Sequence, residues 1–277
     1  MPGSFFRPIT PRRSKRAEID TSVAHPARVY DYWLGGRTNF AADREAAEQV
    51  IAVQPGIRAG VRANRAFLGR AVRFLTAEAG IRQFLDIGTG IPTDSNTHEV
   101  AQAIAPECRV VYADNDPIVL AHARALLTSA STSGATAYID ADLRDTDTIL
   151  GTASKTLDLG QPIAIILLLI MQFIPDSDDP YGLVSRLLQA AAPGSYLVLS
   201  QPASDLDATA GAKAVRRYNE TVATPQTHRT QAEISRFFDG LDLLEPGLVP
   251  LNRWRPEDGP ADLGPDVPAY CAIGRKA

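Results

Sequence analysis

The chain reads as an α/β protein with a mostly parallel sheet and helices on both faces. After Gly80, short apolar runs alternate with helical patterns, and alternation of that kind builds parallel sheets. One run, IAIILLLIM from Ile163 to Met171, is apolar throughout, as expected of a central strand buried on both faces. It is too short for a membrane span, which takes roughly 20 residues. The third observation is FLDIGTGIPT, Phe84 to Thr93, where a strand runs through a glycine-containing turn into a helix.

Taken in order, residues 1–19 carry prolines and a basic cluster, Arg12, Arg13, Lys15 and Arg16, without apolar periodicity. They read as a mobile tail. Residues 20–80 read as an N-terminal helical arm or lid. It opens with YDYWLGGRTNF (Tyr30 to Phe40), too aromatic for a linker and too rich in glycine for the middle of a helix. Residues 41–53 form one helical pattern, which Pro55-Gly56 ends. Residues 57–79 form a second, with Val61, Phe67, Leu68, Ala71, Val72 and Leu75 on one stripe.

Residues 81–277 form the main domain. Its strand candidates are IRQFLDI (81–87), RVVYAD (109–114), ATAYID (135–140), IAIILLLI (163–170) and SYLVLS (195–200). A helix should follow the glycine turn near Asp94 or Ser95. Asp116-Pro117 opens another, with an N-cap acid followed by proline. Residues 205–222 read as a polar helix, and Thr230 with Glu233 as a capping box for a helix through Phe238. Two last strand candidates are LDLLEPGL (241–248) and AYCAIGRK (269–276).

The chain has 277 residues, 45% hydrophobic and 22% charged, with a net charge of -4. That balance suits a soluble globular protein and gives no bulk attraction to nucleic acid. Cys108 and Cys271 lie in strand-like runs without metal-ligand spacing, so two reduced thiols in a cytoplasmic protein are expected, and no metal.

The glycine turn is the most informative stretch. A tight strand-to-helix turn that binds nothing would explain Gly88 and Gly90 by themselves. Thr93 stands where a dinucleotide fingerprint wants a third glycine. Asp86 would lie against a pyrophosphate, and like charges at short range cost energy. A ligand with an amine and no phosphate suits that carboxylate, which favours S-adenosylmethionine over NAD or ATP. Asp114 ends the second strand, with Asn115 beside it, and an acid there is placed to accept from ribose hydroxyls. Asp142, followed by Leu143, follows the third strand and can accept from an adenine amino group while a backbone N–H donates to the ring.

These residues resemble the class I S-adenosylmethionine-dependent methyltransferases. YDYWLGGRTNFAADREAAE, ANRAFLGRAV, FLDIGTGIPT, THEVAQ, VVYADNDP, RTQAEISRFFDGLDLLEPGLVPL and the closing YCAIGRK are similar to a bacterial family of S-adenosyl methyltransferases, largely of unknown substrate. The resemblance runs from Ile19 onward. It implies a Rossmann-like, seven-stranded fold whose last strand, AYCAIGRK, is antiparallel, with S-adenosylmethionine as cofactor.

In that fold the end of the fourth strand, here IMQFIPD, borders the transferred methyl group. The Asn or Asp with prolines and an aromatic, used there by amino-group nucleic-acid methyltransferases, is missing. A small-molecule acceptor is therefore expected, and neither a nucleic-acid nor a membrane partner. A homodimer stays open. Gln172 is a candidate to orient the acceptor, and His25 and His228 are candidate bases. Tyr30, Tyr32 and Trp33 are candidate walls of the pocket. Arg37 and Asn39 are candidates for the methionine carboxylate or an acceptor group, with Asn64 and Arg65 as weaker ones. A cofactor-binding sensor or partner subunit without catalysis is the alternative function; a nicotinamide-dependent oxidoreductase fits Asp86 and Thr93 less well.

Overall fold

The central strands are buried on both faces because both of their side-chain rows are apolar. In β4 (Ala164–Leu168), Ile165 and Leu167 enter one core cluster, while Ala164 and Ile166 enter the other. The computed structural model describes residues 20–127, 134–206, 208–222, 224–256 and 265–277. The expected tail, residues 1–19, lies outside them.

β1 (Gln83–Ile87), β2 (Arg109–Asp114), β3 (Ala135–Asp140), β4 and β5 (Tyr196–Pro202) pair in parallel, in the order β3-β2-β1-β4-β5. β8 (Ala269–Lys276) runs antiparallel beside β5, as expected for AYCAIGRK. The far edge of β8 carries two short strands, β6 (Leu241–Leu243) and β7 (Val249–Pro250). The sheet thus has seven positions, the last of them split. The continuous strand expected over 241–248 breaks where Pro246 offers no N–H and Gly247 turns left-handed at φ 83°, closing on the Leu244 carbonyl.

Helices α6 (Thr146–Ala153), α7 (Pro180–Ala190) and α9 (Gln231–Ser235) lie over one face, packing Ile149, Leu183, Leu187 and Ile234 against Leu85 and Ile87. The other face is covered by α3 (Ile57–Ala77) and α4 (Thr97–Ile104), and α5 (Pro117–Leu127) follows β2. The α3 stripe of Phe67, Leu68, Ala71, Val72 and Leu75 meets Phe84 and Val110. α3, which precedes residue 80, thus packs into the sheet layers. The helix after the glycine turn starts at Thr97, later than expected. Ser95 is left-handed at φ 61°, and the Glu99 carboxylate accepts from the Asn96 N–H at 2.8 Å, which sets the start.

A third cluster sits over the carboxyl ends of the strands. It joins α1 (Pro26–Leu34) and α2 (Ala41–Val53) to α8 (Ala208–Thr221) through Val29, Trp33, Val50, Ala214 and Tyr218. A buried ion pair, Arg28 to Asp43 at 3.1 Å, fastens α1 to α2. No helix among the described residues is long and apolar enough to cross a membrane.

Candidate functional site

A cavity of about 350 Å³ opens at the carboxyl ends of β1 and β4. Strand order reverses there: the chain leaves β1 toward β2 and leaves β4 toward β5. Ligand crevices of open α/β sheets form at such switch points, where the diverging connections leave a gap.

The glycine turn forms one wall. Gly88 has φ 73°, and a Cβ there would lie 2.5 Å from Ile170 Cγ1. Only glycine fits without displacing the chain after β4. Gly90 has φ 67°, and its N–H donates to Asp114 Oδ2 at 2.9 Å. Asp114 Oδ1 also accepts from the Asp116 N–H at 2.9 Å, so its carboxylate is fixed from two sides. Burial nonetheless raises the Asp114 pKa above the usual range, against the pull of those two N–H groups.

Asp86 is buried at the end of β1, where Oδ2 accepts from Thr97 Oγ1 at 2.6 Å. Burial pushes its pKa up to about 6, with the Thr97 hydrogen bond and the Arg65 charge acting against the shift. Arg65 lines the cavity from α3 and donates to the Asp94 and Ser95 carbonyls, at 3.1 Å each. Asp142 and Leu143 follow β3. Asn115 Nδ2 donates to Asp142 Oδ2 at 2.9 Å, which ties the β2 and β3 loops together. Asp86, Gly88, Gly90, Asp114, Asn115, Asp142 and Leu143 all line the cavity.

The cap forms the opposite wall. Tyr30 and Trp33 reach the cavity from α1, and Asn64 from α3. Asn64 is the centre of a buried chain. Ser200 Oγ donates to Asn64 Oδ1 at 2.7 Å, and Asn64 Nδ2 donates to the Tyr30 hydroxyl at 3.1 Å. Ser200 in turn accepts from the N–H of Leu169, a residue held at φ 50° where β4 meets the cavity. A left-handed leucine is strained, and strain of this kind collects at functional sites.

Tyr32, Arg37 and Asn39 do not line the cavity, contrary to expectation. Tyr32 lies on the other side of α1, with its hydroxyl on Glu48 at 2.5 Å. Arg37 is exposed. Asn39 closes the loop after α1: its Nδ2 donates to Asp31 Oδ2 at 2.8 Å and to the Gly36 carbonyl at 3.0 Å. The reason is local. Gly35 caps α1 at φ 87°, and a Cβ on Gly36 would run into the Asp31 carboxylate that organises the loop. The glycine pair therefore serves a helix end, and carries Arg37 away from the cavity.

Gln172, His25 and His228 line the cavity. His25 caps α1, and its Nδ1 lies 2.7 Å from Asp116 Oδ2. Burial pushes Asp116 upward, but the contact with His25, the Ile118 N–H and the Arg28 charge together hold it below the usual range. Burial pushes His228 down to about 4, against the opposing pull of the Ala203 backbone. Phe173, Tyr218 and Arg144 also reach the cavity, and sequence reasoning missed them. The signal for Tyr218 was the four-residue step Ala214, Tyr218, Val222 in a helix otherwise read as polar. Among the described residues no cluster of His, Cys, Asp or Glu could hold a metal ion.

The sequence matches the S-adenosyl methyltransferase family over residues 12–277. A crystal structure of a DUF574 family protein from Streptomyces avermitilis is 44% identical, covering 93% of this chain and 99% of that one, with a TM-score of 0.88. A second, from Thermobifida fusca, is 40% identical over 93% of this chain and 96% of that one, with a TM-score of 0.86. The plantazolicin methyltransferase solved with S-adenosylhomocysteine shares the fold at 12% identity, over 91% of this chain and 95% of that one, with a TM-score of 0.51. No curated protein matches the chain in sequence. S-adenosylmethionine is the cofactor of this family, and the donors present fit it: acids at the strand ends, and glycines that let the backbone come close. The chain belongs to the S-adenosyl methyltransferase family and is an S-adenosylmethionine-dependent methyltransferase.

Proposed function

We propose that the protein methylates a small-molecule acceptor by in-line displacement, beneath a lid formed by α1, α2 and α8. The observation that carries this reading is one cavity whose lining runs from the strand-end acids to Trp33, Phe173 and Tyr218 of the opposite wall. When bound, S-adenosylmethionine supplies an electrophilic methyl group on a sulfonium.

The chain's own part is to hold and align. Asp86 faces the cationic amine, and Arg65 takes the carboxylate in place of the exposed Arg37. Asp114 accepts from the ribose hydroxyls. Asp142 accepts from the adenine amino group, with the Leu143 N–H beside it. The lid excludes water and fixes the acceptor, and alignment alone supplies a large part of the rate in a displacement of this kind.

The test is incubation of the full chain with methyl-labelled S-adenosylmethionine and a metabolite extract, with mass spectrometry of the labelled fraction. A labelled small molecule is expected. Label found only on protein or nucleic acid would overturn the small-molecule reading. Tight cofactor binding without any labelled product would favour the sensor or partner-subunit alternative.

A further inference from the structure

The charges around the cavity are unevenly placed. Among the described lining residues, the charged side chains are Asp86, Asp114, Asp142, Arg65 and Arg144, with His25 paired to Asp116. All belong to the strand-end loops or are tied to them. Arg65 bonds the loop after β1, and Arg144 pairs with Asp142 at 3.1 Å. The rest of the described lining carries no formal charge at neutral pH, since burial keeps the His228 imidazole unprotonated.

That remaining part is walled by aromatic rings. Trp33, Tyr218 and Phe173 succeed one another, with centroids 6.4 Å and 6.3 Å apart. A flat apolar molecule gains most from such a wall, through buried area and ring contacts. A charged one would lose its hydration there with no opposite charge to replace it.

Two residues of this lining, Gln172 and His228, carry a buried polar atom without a partner, and Gln172 is the one that adjoins the ring wall. Gln172 is 5% exposed and lines the cavity next to Phe173. Its Nε2 donates to the Leu169 carbonyl at 2.7 Å, which settles which end of the amide is nitrogen. Its backbone carbonyl accepts from the Thr227 N–H at 2.7 Å, so the residue is held at both ends. Oε1 is buried and has no hydrogen-bond partner. A buried carbonyl left without a donor costs free energy, and a ligand that brings one recovers it.

We infer that the acceptor is a neutral, flat, mostly apolar molecule that lies on the Trp33–Tyr218–Phe173 wall and donates one O–H or N–H to Gln172 Oε1. This rests on the methyl-transfer reading above and adds the chemical class of the acceptor.

The test is calorimetry on the full chain with saturating S-adenosylhomocysteine at pH 7.5, using 2-naphthol, 2-aminonaphthalene, 2-methoxynaphthalene and 2-naphthoate. The two neutral donors are expected to bind at least about tenfold tighter than the methoxy compound, which cannot donate, and than the charged carboxylate. The tighter donor identifies hydroxyl or amine. Gln172→Met should bring 2-naphthol down to the methoxy compound and leave the latter unchanged. Equal binding of 2-naphthoate, or of 2-methoxynaphthalene, by the parent protein overturns the inference, whether or not the variant folds. If S-adenosylhomocysteine binds and the series is flat, this inference alone fails. If S-adenosylhomocysteine does not bind in the same calorimeter, the cofactor reading beneath it fails.

Discussion

Asp86→Asn removes a charge and leaves the shape. The native carboxyl has a pKa of about 6, against 3.8 for an ordinary aspartate, chiefly because it is buried. S-adenosylhomocysteine presents a cationic amine, so it should bind the ionised form of Asp86. With a pKa near 6, roughly a tenth of the protein is ionised at pH 5 and roughly nine tenths at pH 7, so affinity should rise about tenfold over that range. The amine itself stays protonated throughout, since an α-amino group titrates near 8. Stability moves the other way. A carboxyl whose folded pKa is raised holds its proton more tightly in the native state. The native state therefore loses stability as pH rises from the unfolded pKa through about 6, by at most about 3 kcal/mol. Asn keeps an oxygen for the Thr97 hydroxyl and carries no such cost. Asp86→Asn should therefore raise Tm at pH 7.5, leave it near parental at pH 4, and weaken binding with a flat pH profile. The assays are calorimetry with S-adenosylhomocysteine between pH 5 and 7 and thermal unfolding without ligand. Parental affinity that changes less than about twofold over this range, or an Asn variant with the parental slope, would refute the assigned role of Asp86.

Arg65→Ala removes a positive charge that lowers the Asp86 pKa. The rise in cofactor affinity with pH should move to higher pH, and binding at pH 7 should weaken, which the same calorimetric series reads. Gly88→Ala forces a left-handed alanine against Ile170, and about 1–3 kcal/mol of stability should be lost in chemical denaturation. Trp33→Ala should cost about 3–5 kcal/mol, because Trp33 is only 7% exposed in the cap cluster, besides any loss of acceptor binding. Arg37→Ala should stay within about 0.5 kcal/mol of the parent and bind S-adenosylhomocysteine equally well, since the side chain is exposed.

Strands β1 to β5 were legible because each is a short apolar run bounded by turn residues, and ATAYID and RVVYAD match β3 and β2 residue for residue. The split edge was not, since LDLLEPGL keeps an apolar rhythm across Pro246 and Gly247. The strand-end acids and the glycine turn were readable because their places follow from the strand order. That Arg65 lines the cavity and Arg37 does not was not readable. Both are arginines near aromatic residues, and what separates them is the Gly35 cap that carries the chain away from the cavity after α1. Periodicity identifies the apolar face of a helix but not its neighbour, so α8 was seen as a helix and its place in the cap was not. In YDYWLGGRTNF, Tyr30 and Trp33 turn to the cavity, while Tyr32 bonds Glu48, Asn39 closes the loop after α1 and Arg37 is exposed.

The pairing of α8 with α1 and α2 has a consequence for synthesis of the chain. The two halves of the cap leave the ribosome roughly 160–190 residues apart. At 5–20 residues per second, Val29, Trp33 and Val50 emerge about 8–38 s before Ala214 and Tyr218 exist to cover them. During that interval the nascent arm presents an uncovered aromatic and aliphatic surface, the kind of surface that chaperones bind. The residues proposed to receive the acceptor are then the ones most in need of protection.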